Sequence, residues 1–92
     1  MTALSRTVEI CNKKGLHARA SAKFVTMAAQ IDAAIEVEKD GNRVCGTSIM
    51  GLMMLSAGPG TSIVVSAIGP DAQLAINAIT ELVASKFNEE GT

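Results

Sequence analysis

The apolar residues of this chain change their spacing repeatedly over short distances, and that switching restricts the fold more than any other feature. Between Leu4 and Cys11, Val8 and Ile10 fall on one side and Thr7, Glu9 and Cys11 on the other, the alternation of a half-buried strand. Ala20, Phe24, Met27, Ala28 and Ile31 then recur at helical spacing. Alternation returns at Ile35 and Val37, with Glu36 and Glu38 opposite them. Asp40-Gly41 is a hairpin signal leading to a short strand around Val44. Thr47 or Ser48 can cap a short helix running to about Leu55, and Gly58-Pro59-Gly60 ends it.

The stretch "SIVVSAI", Ser62–Ile68, is apolar on both faces, which suits a strand in the middle of a sheet. Gly69-Pro70-Asp71 opens a last helix with Ala72, Ala75, Ile76, Ile79, Leu82, Val83 and Phe87 on one stripe. The order βαββαβα, with one polar face per strand and one apolar stripe per long helix, implies an α+β open-faced sandwich. Two long helices and one short one accompany a four-stranded antiparallel sheet, with the long helices on one face. Inserting the last strand between two parallel ones would make a split βαβ unit, although spacing alone leaves that order open.

Composition narrows the function. A hydrophobic share of 48% over 92 residues is enough for the core of one domain, residues 1–92. Lys plus Arg at 8 against Asp plus Glu at 9 leaves a net charge of -1, so there is no overall basic field for nucleic acid. No segment reaches the roughly 20 apolar residues of a membrane span, and the N-terminal stretch lacks the apolar run of a signal peptide. A cytosolic protein without membrane insertion is expected. Cys11 and Cys45 have no CxxC spacing, and with one His they supply at most three ligands. Buried free thiols are expected, with no metal and no cofactor.

The single histidine lies in "NKKGLHARASAKFV", Asn12–Val25. His17 falls where a strand-to-helix connection meets the first helical turn, so backbone N–H groups lacking intrahelical partners should lie near its ring. Gly15 relaxes the backbone before it, and Arg19 adds a permanently charged bidentate donor. A neutral imidazole beside an anion pocket suits phosphoryl transfer: the ring attacks phosphorus while N–H groups and a guanidinium balance charge on the equatorial oxygens. No nucleophile elbow, Walker loop or GxGxxG fingerprint offers a competing chemistry, so the phosphoryl group should come from another protein. The plainer alternative is a soluble surface loop in which Lys13, Lys14 and Arg19 are only solvated.

"GLHARASAKFV" resembles the active-site stretch of the histidine-containing phosphocarriers (HPr) of the bacterial phosphoenolpyruvate-dependent phosphotransferase system, and "TSIMGLMML" resembles that family's second signature. The likeness covers nearly the whole chain. It implies that His17 is phosphorylated on Nδ1, as a pros-phosphohistidine, by phospho-Enzyme I and passes the group to an enzyme IIA-type acceptor. The chain would be a carrier within a relay rather than a turnover enzyme. Arg19 would contact the phosphate, and Ser48 would be the regulatory serine of an HPr kinase/phosphorylase. Ala20 stands where the family commonly has proline, and Thr47 where it usually has lysine.

A carrier must dock on donor and acceptor in turn. The segment Ile49–Leu55 has more large apolar residues than one face of a short helix can bury. Leu52 and Leu55 are expected inward, with Ile49, Met50 and Met53 partly outward beside His17. Ala18 and Ala22 would allow close approach, and Arg19 and Lys23 would steer acidic partners to a monomeric carrier. Two other functions are carried forward: a regulatory binding module of the same fold controlled at Ser48, and a small-molecule or metal-binding α+β domain.

Overall fold

The computed structural model describes residues 3–88. Its elements are β1 (Leu4–Glu9), α1 (Ala18–Ala29), β2 (Ala34–Lys39), β3 (Asn42–Cys45), α2 (Ile49–Met54), β4 (Ser62–Ile68) and α3 (Ala72–Ala84). The four strands form one sheet in the order β1-β4-β2-β3, and every neighbouring pair is antiparallel. Because β4 runs against both β1 and β2, those two are parallel to each other, joined through α1. This is the split βαβ arrangement.

Register explains why β4 takes the centre. Val65 pairs with Arg6 of β1 and Val37 of β2, and Ala67 pairs with Leu4 and Ile35. Ile63, Val65 and Ala67 are buried together with Val8, Ile35 and Val37 on the helix-covered side. Glu9, Glu36 and Arg43 point to the exposed side, where Arg43 pairs with Glu36 and Glu38. Those ion pairs, led by the hydrogen bond to Glu38, raise the guanidinium's already high pKa. Arg6 escapes the buried side at the sheet's edge by reaching Thr80 of α3 with Nη1, at 3.2 Å.

Above the sheet, α1 contributes Ala20, Phe24 and Ala28, and α3 contributes Ala72, Ala75, Ile76, Ile79, Leu82 and Val83, to one core. Full burial of a side chain such as Phe24 stabilises the fold by about 1.5–3 kcal/mol. The hairpin between β2 and β3 turns on Asp40 and Gly41, both at positive φ (51° and 82°), as a two-residue type I′ connection requires.

Three expectations fail here. Phe87 is buried but does not lie on the helix stripe: α3 stops at Ala84, and Lys86, Phe87 and Asn88 follow at φ of 58°, 56° and 57°. This left-handed turn swings the ring back under α1, where Lys23 Nζ donates to the Phe87 carbonyl. Ile31 packs on the core from beyond the end of α1 rather than from within it. Cys11 and Cys45 are exposed free thiols, not buried ones. Cys11 continues the outward set of β1 and donates to the Val83 carbonyl at 3.2 Å, while Cys45 sits on the open face of β3.

Candidate active site

The chain between β1 and α1 has little freedom. Gly15 adopts φ +62°, and a Cβ there would lie 2.2 Å from the Ala57 carbonyl oxygen, so only glycine fits. Leu16 N donates to that same oxygen at 2.9 Å. Asn12 Nδ2 donates to Gly15 O at 2.8 Å, and Ser21 Oγ donates to Leu16 O at 3.1 Å. The loop after α2 thus supports the loop before α1.

His17, half-buried, is the N-cap of α1. Its backbone is extended (φ -74°, ψ 178°), its carbonyl accepts from Ser21 N at 2.8 Å, and its Nδ1 accepts from Arg19 N at 3.3 Å. A ring nitrogen that accepts a hydrogen bond must keep its lone pair, so this cap selects the tautomer with the proton on Nε2. The same lone pair is the one a nucleophile needs. An N-cap is thus also a group able to attack an electrophile brought to the start of α1, where backbone N–H groups and the helix dipole favour negative charge.

Arg19 follows in the first turn, exposed, and its guanidinium makes no ion pair among the described residues. His17, Lys14, Met53 and Ser56 border a shallow depression of about 290 Å³. Lys14, which the plainer reading of the loop leaves merely solvated, lies at its rim. Ala18 is exposed and Ala22 half-buried.

The second signature forms the adjoining surface, since α2 packs against α1. Leu52 and Leu55 are buried as expected, at 0% and 5% exposure, whereas Ile49 (42%), Met50 (70%) and Met53 (41%) face outward. Met53 is brought to the depression beside His17. Met54, at 75%, is the most exposed of the set and was missed. Helical geometry would have found it, because Met50 and Met54 are four residues apart, on the side opposite Leu52.

Ser48 is the N-cap of α2, and its half-buried Oγ accepts from Gly51 N at 2.9 Å. Thr47 is exposed instead, with Oγ1 3.1 Å from Cys45 Sγ. That hydrogen bond lowers the Cys45 thiol pKa against the opposing effects of burial and Glu36. Cys45 lies in a different hollow, of about 580 Å³, bordered by Ala34, Glu36 and Ile68 and sharing no residue with the depression at His17. Among the described residues, no cluster of three His, Cys, Asp or Glu side chains is placed to hold a metal ion. No helix among them is long and apolar enough to cross a membrane.

Residues 4–85 match the family model of the PTS HPr component phosphorylation site. The chain belongs to the HPr family. It is a phosphocarrier of the phosphotransferase system, and its relatives include proteins named HPr and proteins named NPr. It is 48% identical to the phosphocarrier protein HPr of Neisseria meningitidis serogroup A, over 94% of this chain and 97% of that one. To the phosphocarrier protein NPr of Shewanella violacea it is 44% identical, over 97% and 98%. Among solved structures, HPr-C-His from Thermoanaerobacter tengcongensis superposes with a TM-score of 0.88 at 46% identity, covering 98% of this chain and 99% of that chain. The HPr fold is therefore shared throughout, including its four-stranded antiparallel sheet and its helices.

Proposed function

We propose that His17 Nδ1 accepts a phosphoryl group from phospho-Enzyme I and delivers it to an enzyme IIA-type acceptor. The supporting observation is the capping bond itself: the lone pair of the only imidazole is held at Nδ1, over the N-terminus of α1. In the transfer, this lone pair forms a bond to phosphorus while the bond between phosphorus and the donor's leaving group breaks, and Nε2 keeps its proton. The Arg19 N–H released by Nδ1 then faces a phosphoryl oxygen, and the Arg19 guanidinium balances the dianion from the exposed side. Giving up the cap costs about 1 kcal/mol, and α1 survives it because Ala20, Phe24 and Ala28 anchor the helix. An acceptor nucleophile reverses the same steps.

Donor and acceptor would dock in turn on one surface made of Ala18, Ala22, Ile49, Met50 and Met53, to which Met54 is added. Methionines adapt to differently shaped partners, and Lys14, Arg19 and Lys23 attract acidic ones. The chain works on this reading as a cytoplasmic monomer, without cofactor or metal. Similarity to both HPr and NPr relatives leaves sugar uptake and nitrogen-type regulation as two branches, separated by identifying the IIA-type protein that takes the label.

The deciding experiment is incubation with phosphoenolpyruvate and Enzyme I followed by intact mass measurement. One phosphoryl group is expected, lost in acid because a protonated imidazole leaves readily, and absent from His17→Ala. Full phosphorylation of His17→Ala would overturn the assignment. A regulatory reading is favoured alongside by Ser48, whose hydroxyl lies next to the docking methionines: an HPr kinase/phosphorylase acting there would control docking without altering His17.

A further inference from the structure

We propose that Asn12 and Ser21 are positioning residues for the phosphoryl group on His17, a role that rests on the reading of His17 as its acceptor. Both side chains are 0% exposed, which is unusual for these residue types. Each donates to one of the two carbonyl oxygens immediately before His17: Asn12 Nδ2 to Gly15 O and Ser21 Oγ to Leu16 O. Together with Leu16 N on Ala57 O, these bonds fix two successive peptide units.

Serine at position 21 gives the Leu16 carbonyl a buried donor that alanine would remove. Alanine has the higher helix propensity, fits the same space and carries no hydroxyl to desolvate. What serine adds is a hold on Leu16 O. The electrostatics of the site give that hold a purpose. A carbonyl oxygen carries partial negative charge, and a dianion on Nδ1 would be repelled by one turned toward it. Asn12 and Ser21 draw the two nearest carbonyls of the preceding loop into the interior, so that the approach to His17 is bordered by N–H groups and cations instead. They also fix the backbone from which the imidazole projects, and phosphoryl transfer is sensitive to displacements on the order of 1 Å.

The test compares wild type, Ser21→Ala, Asn12→Ala and a distant core variant, Ile79→Val, which lowers stability without touching the loop. Transfer from phospho-Enzyme I is measured with kcat and KM separated. Each protein is also phosphorylated chemically with potassium phosphoramidate, which gives its phosphoryl group to imidazole and releases ammonia, and hydrolysis of the product is followed by phosphorus NMR. Ser21→Ala and Asn12→Ala are expected to lose about tenfold in kcat with KM within roughly twofold, and their hydrolysis rates should move toward that of phosphorylated N-acetylhistidine. Ile79→Val should change only the melting temperature. The proposal fails if Ser21→Ala retains wild-type kcat and hydrolysis rate, or if Ile79→Val loses as much kcat. If Enzyme I does not phosphorylate even wild type, the functional reading fails, and the hydrolysis comparison on chemically phosphorylated protein still decides the positioning role. Should Asn12→Ala not fold, Ser21→Ala alone carries the decision.

Discussion

The first two helices of this phosphocarrier begin in similar ways and depend on their caps very differently. α1 starts at His17, whose Nδ1 accepts from Arg19 N at 3.3 Å, and α2 starts at Ser48, whose Oγ accepts from Gly51 N at 2.9 Å. Yet α1 spans 12 residues and buries Ala20, Ser21, Phe24 and Ala28, whereas α2 spans six and buries only Leu52. A helix held by its apolar face can lend its cap to chemistry, because withdrawing one hydrogen bond leaves most of its stabilisation in place. A helix of under two turns has little else to hold it, since so short a segment is unstable without its contacts. On the proposed reading the two caps divide the work: that of α1 gives way to the phosphoryl group, and that of α2 maintains a surface.

The largest effect separating them should come from His17→Asn. Asparagine is a good cap, so the melting temperature should fall by the equivalent of less than about 1 kcal/mol, while phosphorylation by Enzyme I disappears. Loss of the fold along with phosphorylation would show that α1 needs its own cap as much as α2 does.

Arg19→Ala comes next. Its guanidinium makes no ion pair among the described residues, so stability should stay within about 0.5 kcal/mol of wild type. Transfer should lose about 2–4 kcal/mol of transition-state stabilisation, comparable to deleting one oxyanion donor. Arg19→Lys should recover part of the rate, since a point charge cannot reproduce the fork. Wild-type kinetics in both variants would remove Arg19 from the site.

Much of this division was legible in the sequence, and the failures have physical causes. Alternation in β1 already set Cys11 opposite Val8 and Ile10; the expectation that the thiol is buried followed the usual habit of cysteine instead of its place in the strand. Periodicity carried Phe87 along the α3 stripe, but the left-handed turn at Lys86–Asn88 depends on contacts made far along the chain, including the Lys23 bond to Phe87 O. The cap at His17 could be placed from "GLHA", because a helix had to start there. Its seat could not, because the Ala57 carbonyl that fits Gly15 belongs to a loop brought in only by the folding of α2 against α1. Asn12 and Ser21 likewise carry no periodic signal of burial; their partners are local, but only the closed loop shields them from water.

A smaller effect is expected where the short helix meets its partners. Met50→Ala and Met54→Ala remove side chains that are 70% and 75% exposed, so the fold should be indifferent. Together they should raise the KM for Enzyme I about fivefold, about 1 kcal/mol of docking, with kcat unchanged. An unchanged KM would place the docking surface elsewhere.

The smallest and most discriminating effect concerns Ser48. Ser48→Ala removes the acceptor for Gly51 N and should cost about 1 kcal/mol, with exchange of the Gly51 amide accelerated ahead of the amides of α1. Ser48→Asp tests the other half of the argument. Aspartate is also a good N-cap, and its charge is favoured at the start of a helix, so stability should remain near wild type. The same charge lies beside Ile49, Met50 and Met53, and a docking partner would have to desolvate it or bring its own acidic groups against it. Phosphorylation of His17 should then slow at sub-saturating Enzyme I and approach the wild-type rate at saturation, the pattern of weakened docking with intact chemistry. A fall in kcat at saturation would mean that the change at Ser48 reaches His17 itself, through the packing of α2 on α1, and the two caps would then be coupled instead of separate. If Ser48→Asp and protein phosphorylated at Ser48 both matched wild type at every concentration, Ser48 would be a cap and nothing more.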